Sequence, residues 1–202
     1  PLLPVYVIRL RVVEINNKKI KTVCFTGHRP NKLGGFESNP ISDWVKQSLK
    51  NVIKRAINKG VQTFISGGAL GVDQWAAEIV IEFRTEQEKH FSTWDNTIDI
   101  IIATPFPSQP LKWPQESRRH YEKLLQKADR IIEVCDDPYA AWKMQKRNEW
   151  MVDNSDAVIA VWNRTPGGTA NCVTYALENK KPVLVLNPIK KTQKWKFHEN
   201  KE

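Results

Sequence analysis

Sulfur is scarce in this chain of 202 residues, which has three cysteines and two methionines. Cys24, Cys135 and Cys172 lie far apart, in or beside apolar positions, and read as small buried side chains. The absence of any CxxC pair or Cys/His cluster excludes a zinc finger or ribbon, and the odd count argues against a disulfide framework. No metal site and no resident cofactor is expected, and the reducing cytoplasm is the expected setting. Also missing is any run of the roughly 18 to 20 apolar residues that a membrane crossing requires. The apolar start at residues 1–8 passes directly into Arg9 and Arg11, which is not the order of a secretory leader, so it reads as a strand. No internal repeat or low-complexity linker is present, and a single soluble domain accounts for the length. Acidic residues are in deficit, 22 against 31 basic, for a net charge of +9. The first 21 and last 15 residues hold +7 of that charge, leaving +2 over the 166 between them. Basic ends of this kind suit nucleic acid or an acidic partner, while the central portion is nearly neutral.

What is present is a repeated alternation of short apolar runs with longer amphipathic segments, the pattern of βα units. Strands are predicted at 5–15, 20–26, 61–66, 96–104, 130–135, 157–162 and, last, 182–187. Helices are predicted at 41–58, 72–91, 115–128, 137–154 and 168–179. Residues 16–19 form the turn between the first two strands. In 41–58, Ile41, Trp44, Val45, Leu49, Val52, Ile53, Ala56 and Ile57 share one face. Asp137-Pro138 reads as an N-cap acid followed by proline at the first helical position. The four prolines of 105–114 read as a loop without regular structure, with Trp113 packing it down. The fold expected is a Rossmann-like α/β domain with a mostly parallel sheet and helices on both faces. Residues 1–19 form an added N-terminal strand segment, 20–187 the ligand-binding domain, and 188–202 a basic tail.

Four segments stand where strands hand over to helices. Thr26-Gly27-His28-Arg29-Pro30 ends a strand, Gly27 letting the backbone approach a ligand and Arg29 offering a fork to a phosphate. Ser66-Gly67-Gly68-Ala69-Leu70-Gly71-Val72-Asp73 joins a strand directly to a helix, with exposed backbone N–H groups suited to an anion. Ser66 could donate to that anion, and Asp73 could accept from a ribose hydroxyl or cap the helix. The turn is neither GxGxxG nor GxxxxGK[ST], which disfavours an NAD site and a P-loop. Met144, Arg147 and Met151 share a helical face, where an arginine calls for an anion, and Asn148 follows it. The fourth segment, residues 163–171, places Gly167, Gly168 and Thr169 at another strand-to-helix junction. Two such turns in one parallel sheet arrive at the same carboxyl edge.

These segments, CFTGHRP at 24–30, GGALGVDQWAAE at 67–78, RNEWMVDNSDAVIAVWN at 147–163 and PGGTANCVTYA at 166–176, resemble the YpsA-like branch of the SLOG superfamily. That superfamily also holds the DNA-processing protein DprA and the LOG phosphoribohydrolases, and the likeness spans about residues 21–187. It implies a Rossmann-like sheet that binds a nucleotide or a nucleotide-derived ligand such as an ADP-ribose-type molecule, and a homodimer. It places binding on the turn at 67–73, on Arg147 and on the turn at 167–169, with Thr26, His28 and Arg29 matching the first-strand motif. One departure bears on catalysis. LOG hydrolases carry PGGxGTxxE, and the glutamate slot here is Thr174, or Val173 if the alignment slips by one. Neither is an acid able to steady oxocarbenium-like charge. The function expected is therefore ligand binding, for sensing or sequestration, rather than catalysis. The alternatives are a hydrolase of a nucleotide or ADP-ribose derivative, using His28 with Asp73 or Glu78, and DprA-like nucleic-acid binding. No membrane partner is expected.

Overall fold

The computed structural model describes residues 19–90 and 97–198. The strand expected within residues 1–19 lies outside them. Twelve regular elements follow in chain order among the described residues: β1 (Thr22–Gly27), α1 (Pro40–Asn58), β2 (Thr63–Ser66), α2 (Val72–His90), β3 (Asp99–Thr104), α3 (Gln115–Gln126), β4 (Arg130–Glu133), α4 (Ala141–Asp153), β5 (Ala157–Val161), α5 (Gly168–Glu178), β6 (Val183–Asn187) and β7 (Thr192–Lys196). They form one seven-stranded sheet in the order β4-β3-β2-β1-β5-β6-β7. All neighbours are parallel except β6 and β7.

Strand alternation sorts the core into two layers. Val23, Phe25, Phe64, Ile100, Ile102, Ile159 and Leu186 face the layer that holds residues of α1, α2 and α3. Cys24, Ile65, Ile101, Ala103, Val158, Ala160 and Val185 face the layer that holds residues of α4 and α5. Strands buried on both faces explain the unbroken apolar runs in the sequence. The predicted face of α1 is the one that packs, Val45, Leu49, Val52 and Ile53 being buried. Asn39 closes the N-terminus of α1 in a capping box, accepting from the backbone N–H groups of Ile41 and Ser42 at 3.0 and 3.1 Å.

Three expectations are corrected. Residues 105–114 are not wholly irregular, since Gln109–Lys112 form a 3-10 turn with proline in its first turn, where no N–H is needed. Phe106 is buried beneath the loop, and Trp113 meets the Tyr121 ring edge-on at 5.2 Å between centroids. Asp137 does not cap a helix. Its carboxylate accepts from the Ser108 backbone N–H at 3.0 Å and from the Ser108 hydroxyl. The helix starts at Ala141, and Lys143 reaches back to the carbonyls of Asp136 and Pro138. Finally, β6 is not the last strand. Asn187 accepts from the backbone N–H groups of Ile189 and Lys190, turning the chain so that 192–196 pair antiparallel with β6. Part of the basic tail, residues 192–196, is thus an edge strand, whose lysines suit an exposed edge. No helix among the described residues is long and apolar enough to cross a membrane.

Candidate functional site

The strand order reverses direction at β1 and β5, which are neighbours at the centre of the sheet although far apart in sequence. Beyond their carboxyl ends lies the crevice in which open α/β sheets take ligands. All four segments singled out from the sequence arrive there, from β1, β2, α4 and β5.

The first glycine turn is packed to its limits. A Cβ on Gly67 would fall 1.7 Å from Arg147 Nη1 and 2.6 Å from Asp73 Oδ2, so a side chain there would have to displace that pair. Gly68 has φ +62°, and a Cβ there would fall 2.7 Å from the Tyr121 ring. Gly71 (φ +94°) and Gly27 lie equally close to His28–Pro30 and to Val72. The Ser66 hydroxyl donates to the Asp73 carbonyl at 2.7 Å and accepts from Gly68 N–H at 3.2 Å. Its proton therefore holds the turn. Gln74, which sequence reasoning passed over, donates to the Gly68 carbonyl at 3.1 Å.

Arg147 is buried, and its anion is Asp73, 3.7 Å away. The guanidinium also donates through Nη1 to the Gly67 carbonyl at 2.5 Å and through Nε to Asn148 Oδ1 at 3.0 Å. Asn148 in turn donates to the Gly168 carbonyl at 3.4 Å. One turn of α4 thereby ties the two glycine turns together. Burial pushes the Asp73 carboxyl above its ordinary range, opposed by Arg147 and by a hydrogen bond from the Ala69 backbone. Because the buried pair is close to neutral, the first turn presents little net charge to an anion.

The second turn differs. Gly167, at φ +135°, precedes α5 and supplies no side-chain cap, so the first N–H groups of α5, which have no intrahelical partner, gain none from a side chain. Asn171 N–H makes the first helical bond, to the Gly167 carbonyl at 3.0 Å. A Cβ on Gly168 would touch nothing within 4 Å. Lys32, missed from the sequence, reaches across from β1's loop and donates to the Pro166 carbonyl at 3.1 Å. Arg29 and Arg164 are exposed on the segments that frame this turn. Thr169, by contrast, is buried in the first turn of α5.

Thr26 and His28 serve the framework. Thr26 is buried on the α5 side, bonding towards the Cys172 thiol, which burial pushes up to about 11. His28 is buried with Nε2 at 2.7 Å from Asn163 Oδ1, an oxygen that also accepts from the Thr165 N–H and hydroxyl. Burial holds the His28 pKa below its ordinary value, opposed by the bond to Asn163. Glu78 is not in the crevice. It pairs with His120 of α3 and lines a groove between α2 and α3, because it lies more than one turn along α2 from Asp73. Among the described residues no group of three or more His, Cys, Asp or Glu side chains is arranged to hold a metal ion.

A family model described as the YspA SLOG family matches residues 23–186. A UPF0398 protein of Brevibacillus brevis is 30% identical over 152 residues, covering 74% of this chain and 77% of its own. Another, from Bacillus thuringiensis, is 28% identical over 163 residues, covering 80% and 84%. DNA processing protein A from Helicobacter pylori, studied for its single-stranded DNA binding mode, has a TM-score of 0.55 at 22% identity over 84% of this chain and 66% of that one. DNA processing protein A from Streptococcus pneumoniae has a TM-score of 0.56 at 15% identity over 84% and 51%. At these identities the two structures share a fold with this chain.

Proposed function

The chain belongs to the YspA SLOG family, and from that premise we propose that it binds a phosphate-bearing, nucleotide-derived ligand in the crevice beyond β1 and β5. The observation that carries this reading is the uncapped N-terminus of α5, placed at the topological switch point with Lys32 beside it. Free backbone N–H groups, the positive end of the helix dipole and open space over Gly168 together suit a phosphate. A homodimer and a cytoplasmic setting remain parts of the proposal.

Binding is favoured over hydrolysis on the residues present. The glutamate slot of LOG enzymes holds Thr174, exposed on α5, and Glu78 faces away towards His120. Asp73 is committed to Arg147 and the Ala69 backbone, and His28 to Asn163. Nucleic-acid binding is the second reading, favoured by the fold shared with a protein studied for single-stranded DNA binding and by the +9 charge. The test is isothermal titration with AMP, GMP, CMP, UMP, ADP-ribose, ribose 5-phosphate and inorganic phosphate, beside a gel shift with single-stranded DNA at physiological salt. The proposal expects saturable binding of at least one phosphate ester, recovered intact by chromatography. A shift of single-stranded DNA with no binding of any small phosphate ester would establish the second reading, and recovery of a cleaved product would establish hydrolysis.

A further inference from the structure

The Gly67–Gly68 pair faces two different polar groups. Gly67 meets Arg147 and Asp73, while Gly68 meets Tyr121, a Cβ on Gly68 falling 3.4 Å from the Tyr121 hydroxyl. Three side chains gather on the Tyr121 side. Thr104 ends β3 on the same face as Ile102, whose methyl lies 3.0 Å from that Cβ position. Gln109 belongs to the proline-rich turn and reaches towards the Tyr121 hydroxyl. All three residues are more than nine-tenths buried. Yet Thr104 Oγ1 lacks a partner in hydrogen-bonding geometry, and the Gln109 amide and the Tyr121 hydroxyl have no partner beyond each other. Buried donors and acceptors are almost always paired, and exceptions call for an explanation. Here they cluster in one place, one glycine away from the proposed phosphate crevice.

We propose that Thr104, Gln109 and Tyr121 form the base-reading half of the ligand site, a conclusion that rests on the binding function proposed above. The Gln109 amide presents a donor and an acceptor side by side, the complement of the amide or amidine edge of a nucleobase. The Tyr121 hydroxyl and Thr104 hydroxyl add groups that donate or accept. Phosphate and base would lie at opposite ends of the crevice. From β5 to β3 is three strand spacings, about 14 Å, so an extended nucleotide bridges the two ends across the Gly67–Gly68 backbone.

The test compares the full chain with Gln109→Leu and Tyr121→Phe by calorimetry, using AMP, GMP, CMP, UMP and ADP-ribose against ribose 5-phosphate. At least one base-bearing probe is expected to bind about tenfold or more tighter than ribose 5-phosphate, which corresponds to roughly 1.4 kcal/mol. Gln109→Leu is expected to erase that preference while leaving ribose 5-phosphate affinity unchanged. Its melting temperature should hold or rise, since a buried amide with no partner beyond Tyr121 is being replaced by a side chain of similar shape. Tyr121→Phe is expected to weaken the preference part-way. The inference is overturned if the preference survives Gln109→Leu, or if both variants weaken ribose 5-phosphate and nucleotides equally. Ribose 5-phosphate binding with no base preference in the unaltered protein overturns this inference alone. Failure of every probe to bind removes the phosphate reading as well.

Discussion

At the scale of single residues, Arg147 is the side chain whose meaning the structure changed most. An arginine between two methionines on an inward face correctly called for an anion, but that anion is Asp73 within the same chain. Removing one partner of a buried ion pair leaves the other charge stranded, typically at a cost of about 3 to 5 kcal/mol. Arg147→Ala is therefore expected to lower stability by about 3 kcal/mol near neutral pH, read from urea midpoints. The loss should shrink in acid as Asp73 takes up a proton. An unchanged midpoint would show that the pair holds nothing together. His28 makes a second prediction. Burial holds its folded pKa below the ordinary 6.5, so the unfolded chain binds more protons between the two values. Its contribution is fully present above about 6.5 and is lost as pH falls towards the folded value. Urea midpoints of the unaltered protein should decline over that window, and His28→Gln should flatten the decline. Equal slopes in the two proteins would place the pH dependence elsewhere.

At the scale of elements, much was legible in the sequence because period and punctuation agreed. The long amphipathic run of α1 was legible from its apolar face, whereas its cap at Asn39 and its start at Pro40 come from the structure. Asn39→Ala is expected to cost about 1 kcal/mol through loss of the cap, measured as a shift in urea midpoint. The central strands were legible as apolar runs, and the two glycine turns as breaks between a strand and a helix. The misreadings turn on three-dimensional neighbours that the local sequence does not show. Asp137 had the spelling of an N-cap, but Ser108, 29 residues away, takes its carboxylate. Residues 192–196 are polar and exposed, with no apolar alternation to announce a strand, and only the neighbouring edge of β6 makes them one. The bond by which Ser66 holds its own turn was not legible either, because it requires the three-dimensional position of the Asp73 carbonyl. Gln74 and Asn163 lie within the quoted motifs and Lys32 beside one, but their roles emerge only from their bonds, to Gly68, His28 and Pro166 respectively.

At the scale of the whole molecule, the sheet order converts four separated segments into one crevice and divides labour inside it. α4 fixes the first turn and joins it to the second through Arg147 and Asn148, while the N-terminus of α5 is left uncapped and open. The central claim is that this open helix end holds the phosphate of the ligand, and Gly168 allows it to be tested without disturbing the fold. A side chain there meets nothing within 4 Å, and an acid at the first helical position favours the helix dipole by about 0.3 to 1 kcal/mol. The same carboxylate would occupy and repel at the phosphate position. The decisive measurement is a calorimetric titration of Gly168→Asp beside the unaltered protein, using the tightest phosphate ester found for the latter. The variant is expected to melt at an equal or higher temperature and to bind the ester about tenfold or more weakly. Equal affinity in the two proteins would contradict that claim.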